Sequence, residues 1–494
     1  MQTTPVKYFF ACLLVAATAA LSAQSTAPAP QSTYYPTKLT LHPSAATQPV
    51  SRYRLLPDLV DQTPGNAVTL YLQVRNTFPD QKTTEEILWP ENHKFSYDQT
   101  PIDRFPRQYA QRLLAAYSEA LTFADLAARR QDAVWDTGWR ERAFGGLQPF
   151  GYMSPLRHLA NVLSFRARFQ ISQRNWDAAH HTLQTEFSMA RQAGTQPLAI
   201  HALIESGFAE VALSNAVEEW IGHGDSPNLY WELTDLPHPF VELRPVQQWE
   251  DLALRYWKPQ IWQALHGELP PHQWPQVIRE MITMMQEVPS SKHDPAEVEA
   301  RAKRLVELTY PRAKQHLLSG GTPTENINAM SPEQVVGTYL CDEFNKAADE
   351  LWRAWTLPYL EAQEQMLRSW HALKPDQPPA LDNPLIQAIL VLVGNAKVDY
   401  ASPAVLHMRY QLERPDRQIA LLRTVEALRN YAAYHDGQPP DHLEQITDLP
   451  LPVDSLTGKP FGYRLEGRAA TLDAPAPFGR SPYSGWRYEL TFSK

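Results

Sequence analysis

The sequence predicts a mainly α protein: an antiparallel helical-hairpin, repeat-like array with a small α+β module at its C-terminal end. Three observations carry this. Apolar side chains recur at spacings of mostly three to five through much of the chain, as on one face of a helix. Glycine is scarce at 20 residues and proline plentiful at 43, which suits helices begun or ended by proline better than a Gly-rich nucleotide-binding fold. After the turn Thr457-Gly458-Lys459-Pro460, short strand-like runs replace the helical pattern.

Met1 to Lys7 carry one positive charge, and Tyr8 to Ala23 form a run of apolar and small residues, the layout of a secretory signal with cleavage expected after Ala23. The run is shorter than the roughly 20 residues a spanning helix needs. An extracytoplasmic location, periplasmic or secreted, is therefore expected, with tethering by an uncleaved N-terminal segment as the alternative. Removal of residues 1–23 also removes Cys12 and leaves Cys341 as the lone thiol, so no internal disulfide can form. Cys341 stands in a helical pattern near Tyr339, Leu340 and Phe344, where a small buried hydrophobe is expected.

Residues 24–50 hold Pro28, Pro30, Pro36, Pro43 and Pro49 among polar and small residues and read as a linker. Residues 51–375 read as the helical array, and 376–494 as a C-terminal helix with a small antiparallel sheet. Tyr109 to Arg130 places Leu113, Leu114, Tyr117, Leu121 and Leu126 on one helical face. Ser154-Pro155 opens a helix with Leu156, Leu159, Leu163 and Ala167 on one stripe. Asn175 caps the next, which carries Trp176, Ala179, Leu183, Phe187 and Ala190 on its buried side, and the short connection makes the two antiparallel neighbours.

A third helix is expected from Pro197 to Ile221, with Gly207 marking a close helix contact, and further helices from Gln260 to Leu318. Ser331-Pro332-Glu333-Gln334 supplies an N-cap and a first-turn proline for a long helix that Leu357-Pro358 ends or kinks. Arg417 to Tyr434 is one more helix, expected to follow Arg414-Pro415-Asp416. Phe461 to Glu466, Ala469 to Asp473 and Trp486 to Phe492 read as strands.

The stretch from Ala167 through Arg174-Asn175-Trp176-Asp177-Ala178-Ala179 resembles a tetratricopeptide-type hairpin, but a period of about 34 residues does not continue in further copies. Ala427, Leu428, Tyr431, Gly437, Pro439, Leu443, Ile446, Pro452, Asp454, Gly458-Lys459-Pro460-Phe461 and Tyr463 resemble the C-terminal half of type II secretion pseudopilins, which implies a helix on a small sheet. Pilus function is not expected, because the helix follows Arg414-Pro415-Asp416 and Asp473-Ala474-Pro475-Ala476-Pro477 does not match the family's calcium loop. Asp61-Gln62-Thr63-Pro64-Gly65-Asn66-Ala67, Arg166-Ala167-Arg168, Pro227-Asn228-Leu229-Tyr230-Trp231 with Leu236-Pro237, and the Gly458 to Phe461 turn are similar to a group of uncharacterised exported bacterial proteins. That resemblance implies an architecture and no activity.

With 45 basic and 54 acidic residues the formal charge is −9, which argues against a nucleic-acid partner. The sequence has no His-Glu-x-x-His helix, Cys-x-x-Cys pair, Gly-x-Ser-x-Gly elbow, phosphate loop or EF-hand loop, so no cofactor or metal is expected and no catalytic residue is assigned. His201 and Glu205, four apart on an apolar helix, could share a proton, with His180 and His181 on the preceding helix. Asp342, Glu343, Asp349 and Glu350 form two carboxylate columns, either a glycosidase-like acid pair or, with Lys346 placed to pair with Glu343 and Glu350, an ordinary wet face.

Trp89, Trp135, Trp139, Trp231, Trp249, Trp257 and Trp262 fall in or near loops and helix ends, where rings line grooves or pack between helices. The candidate binding residues are Trp135, Trp139, Tyr230, Trp231, His201 and Glu205. The expected function is an exported binding or scaffolding protein that meets a protein, peptide or glycan partner through an aromatic-bearing helical surface, with ionised side chains facing water. No integral membrane domain is expected after signal removal. The alternative is a hydrolase or lyase acting on a polymer such as a glycan, with acids on helix ends.

Overall fold

Opposite ends of the chain meet in one sheet: Thr37–Leu41 (β1) lies parallel to Trp486–Phe492 (β6), with Leu39 beside Leu490. The computed structural model describes residues 36–79, 102, 106–135, 153–196, 199–244, 246, 254–256, 258–286, 294–372, 403–476 and 484–493. They divide into two compact units, one within 243–410 and the other formed by 36–135, 153–242 and 411–493. Among them, no helix is long and apolar enough to cross a membrane.

In the larger unit, β2 (Thr63–Asn66) precedes α1 (Ala67–Val74), followed by α2 (Arg107–Ala116), α3 (Ser118–Ala128) and β3 (Arg130–Asp132). The single helix expected from Tyr109 to Arg130 is thus two, parted at Tyr117, whose ψ of 9° leaves the helical range. Then come α4 (Met153–Ser172) and α5 (Trp176–Ala193), joined through Arg174 at a φ of 56°. They form the expected hairpin, with Thr182 Oγ1 donating to Gln170 Oε1 across it at 2.7 Å. Asn175 caps α5 by accepting from Ala178 N at 3.3 Å.

Ala199–Val211 (α6) runs through a π-helical stretch, Ala212–Val217, into α7 (Glu218–Gly222). Gly207 does not mark a close contact: a Cβ there would meet open space. Gly194 is the tight position, where a Cβ would overlap the Glu205 side chain. After α8 (Tyr230–Thr234), this unit resumes in the C-terminal region, where β4 (Gly462–Glu466) and β5 (Ala469–Ala474) complete a sheet ordered β1-β6-β5-β4. The expected strands are therefore present, but the sheet is mixed rather than wholly antiparallel because β1 joins it.

Residues 36–50 are correspondingly not a free linker. Their backbone polar groups find fixed partners: Ser44 N donates to Arg429 O, Ala46 N to Asn430 Oδ1, and Asn228 Nδ2 to Ser44 O. Arg429 is fully buried and distributes its donors over His42 O, the Glu426 carboxylate, and Ser226 O and Oγ. Arg417, equally buried, forks onto Asp454 at 2.8 and 2.7 Å. The expectation that charges face water fails in this unit. Glu426, three residues before Arg429, and partners distant in the chain together supply the hydrogen bonds that make burial of these two arginines tolerable.

The smaller unit is helical: α9 (Pro259–Leu265), α10 (Trp274–Gln286), α11 (Pro295–Ser319), α12 (Thr324–Ala329), α13 (Pro332–Thr356) and α14 (Tyr359–Ala372). Ile278, Ile282, Leu305, Val335, Val336 and Tyr339 lie in one buried cluster. Gly337 gives the Trp274 ring room to lie against α13. Ser331 caps α13 by accepting from Gln334 N at 3.1 Å, and the helix stops before Pro358, both as the sequence indicated. Cys341 is buried beside Trp274 and Val277, and burial pushes its thiol up to about 12.

The last helix, α15 (Pro403–Tyr434), starts earlier than expected and carries Pro415 in its interior. A proline there removes the donor for the carbonyl four residues back, that of Gln411. Ser206 Oγ supplies the replacement, at 2.7 Å.

Candidate functional site

Among the described residues, packing takes up two of the rings proposed for recognition, Trp135 and Tyr230. Trp135 is buried, stacks on Tyr71 with 6.3 Å between centroids, and donates Nε1–H to Gln192 O at 2.7 Å. Tyr230 is fully buried, its hydroxyl donating to Pro450 O, with the Arg423 guanidinium 5.2 Å over its ring. Trp231 is half-buried and meets the Tyr230 ring edge-on at 5.0 Å. Trp262, also half-buried, stacks on His266. Trp139, Trp89, Trp249 and Trp257 lie outside the described residues.

His201 and Glu205 share the buried face of α6, as their spacing indicated, yet each is held from elsewhere. His201 Nδ1 donates to Ala193 O at 3.0 Å, and burial lowers its pKa to about 4, so the ring is neutral. Glu205 accepts from Arg191 Nη1 at 2.7 Å. Burial raises its carboxyl to about 8, against the pull of Arg191. His180 and His181 are taken up separately, by Arg54 O at 2.7 Å and Arg129 Nη2 at 2.8 Å.

From Glu205 a chain of polar contacts runs outward. Arg191 Nη1 also donates to Phe240 O, and its guanidinium lies 5.7 Å from the Phe240 ring centroid. Phe240 N donates to both Asp416 oxygens, at 3.1 and 3.0 Å. Asp416 Oδ1 in turn accepts from His238 Nδ1 at 2.7 Å. The Asp416 side chain is 3% exposed and that of His238 79%.

This is an exposed imidazole clamped through one nitrogen by a buried carboxylate. The hydrogen bond to Asp416 raises the pKa of His238; burial opposes it, Glu413 adds to it and Arg423 reduces it. With Nδ1–H fixed on Asp416, Nε2 is the position from which His238 gives or takes a proton, or bonds a ligand. The sequence offered no pattern for the pair. His238 lies in Leu236-Pro237-His238-Pro239 and Asp416 in Arg414-Pro415-Asp416, far apart in the chain.

On α13, Lys346 Nζ pairs with Glu343 Oε1 at 2.8 Å, as the spacing indicated. His316 of α11 joins that face, with Nε2 3.2 Å from Asp342 Oδ2. Among the described residues, no group of three or more His, Cys, Asp or Glu side chains could hold a metal ion. No protein-family model matches this chain, and no match is found among curated proteins or solved structures.

Proposed function

We propose that the chain is an exported, extracytoplasmic binding or scaffolding protein that meets a protein partner through an apolar surface beside the β2–β3 pair. One observation carries the reading. Leu59 and Val60 are 83% and 91% exposed, and Leu72, Leu126 and Val134, all within a few residues of that strand pair, are exposed as well. Exposed apolar side chains favour removal from water by a partner, and these five lie near one another along the chain or beside the same strand pair. The buried Trp135 and Tyr230 do not serve this purpose, so contact moves from aromatic rings to aliphatic side chains. Export rests on the signal-like run Tyr8 to Ala23.

The test is crosslinking of the protein in an extracytoplasmic extract, beside Leu59→Asp and Val60→Asp variants. Neither side chain is buried, so both variants should fold with stability within about 0.5 kcal/mol of the parent. The proposal expects a crosslinked species that both variants lose. An unchanged crosslinking pattern would refute it.

A second reading, a hydrolase or lyase acting on a polymer such as a glycan, is favoured by His238 on Asp416. In that case His238→Ala should cut turnover of such a polymer by about 10²-fold or more. Equal turnover in the variant would remove His238 from any such chemistry.

A further inference from the structure

Ser206, Glu210, Ser214 and Glu218 stand at four-residue intervals on the helix that carries the π-helical stretch, and each meets the C-terminal region. Ser206 bonds Gln411 O, the Glu210 carboxylate takes Arg414 Nε at 3.0 Å on both oxygens, and Ser214 Oγ accepts from Gln418 Nε2 at 2.8 Å. Glu218 Oε1 accepts from Tyr488 Oη at 2.6 Å and from Gln418 Nε2 at 3.3 Å. A four-residue step overshoots one α-turn by about 40°. The wider π-turn from Ala212 to Val217 absorbs that drift, so the polar stripe keeps facing α15 and β6.

Glu218 is the odd member of this ladder. Glu210 has Arg414, Glu219 beside it has Arg168 of α4, and Arg417 of α15 is spent on Asp454. Glu218 is buried, and among the described residues it meets neutral groups, Tyr488 from β6 and Gln418 from α15. Gln418 itself is buried with Oε1 unpartnered. Turned over, its amide would present that oxygen to Ser214 and to a protonated Glu218, both able to donate.

We propose that this seam is a pH-sensitive latch, in which protonated Glu218 fastens α15 and β6 to the hairpin array and ionised Glu218 loosens them. An anion without a cation in a buried seam is costly, and its protonated form is not. Burial raises the carboxyl to about 7, against the two hydrogen bonds from Tyr488 and Gln418. The ionisation therefore falls within the range an extracytoplasmic compartment can cross. Because the folded pKa lies above the ordinary 4.5, the folded form binds the proton more tightly, and stability falls as pH rises between those values.

The experiment is thermal unfolding of the full chain at pH values from about 5 to about 8.5, for the parent, Glu218→Gln and Tyr488→Phe. Glu205→Gln serves as the control for the neighbouring buried carboxyl. The parent Tm should fall with rising pH, and Glu218→Gln should remove that part of the fall that Glu205→Gln leaves in place. Tyr488→Phe withdraws a donor that favours the anion, so it should move the midpoint of the fall to higher pH. A Glu218→Gln profile parallel to the parent's would overturn the latch. Should Glu218→Gln fail to fold, an unmoved midpoint in Tyr488→Phe would overturn it equally.

Discussion

Ser206 donates its hydroxyl to the carbonyl of Gln411, the acceptor four residues before Pro415, which has no N–H to give it. A helix interrupted by proline is thereby repaired from a neighbouring helix. Ser206→Ala should destabilise the protein by about 0.5–1.5 kcal/mol, the net worth of one such hydrogen bond. In a Pro415→Ala background, where the N–H is restored, the same change should cost clearly less. Urea unfolding of the four members of the cycle measures the difference.

The second prediction concerns Arg429. Replacing it with Met removes the cation from fully buried Glu426, whose carboxyl burial drives upward and Arg429 pulls back down. The cost should be about 3–5 kcal/mol, and Arg429→Met/Glu426→Leu should recover part of it, because the second change removes the stranded charge. Equal urea midpoints for the single and double variants would contradict this account.

Two glycines near one another in the chain should respond oppositely to alanine. Gly207 sits in the interior of α6 facing open space, so Gly207→Ala should stabilise by about 0.5–1 kcal/mol. Gly194→Ala should destabilise, because the added methyl overlaps the Glu205 side chain that Arg191 holds in place. Thermal melts of the two variants at one pH suffice.

His201 should give the fold an acid limit. Its folded pKa of about 4 lies below the ordinary 6.5, so the unfolded chain takes up a proton that the folded chain refuses. The stabilisation is complete above about pH 6.5 and drains away toward pH 4, by up to about 3 kcal/mol. His201→Gln retains a donor for Ala193 O but does not titrate. The stability of the parent relative to this variant should therefore decline between pH 7 and pH 4.5, as read from urea midpoints. A constant difference would show that His201 is not the group responsible.

What could be read beforehand was mostly what neighbours in sequence decide. Asn175 and Ser331 were legible as caps because a cap bonds a backbone N–H three residues on. The Lys346–Glu343 pair followed from helical geometry alone. For the candidate site the same rule holds: the shared face of His201 and Glu205 was visible, whereas Arg191, Phe240, Asp416 and His238 were not. Nothing local distinguishes His238 from any other histidine beside a proline.

By itself, then, the sequence determined the mainly helical class, the helix limits at Asn175, Ser331 and Leu357, and the C-terminal strands, since periodicity, caps and breakers act within a few residues. Only the tertiary structure decided that Thr37–Leu41 would be a strand against β6, that Arg417 and Arg429 would be buried, and that Glu218 would be held by Tyr488 and Gln418. Each of these depends on partners brought together from remote parts of the chain. Whether a charge is affordable in the interior is set by those partners, and they exist only once the chain has closed around it.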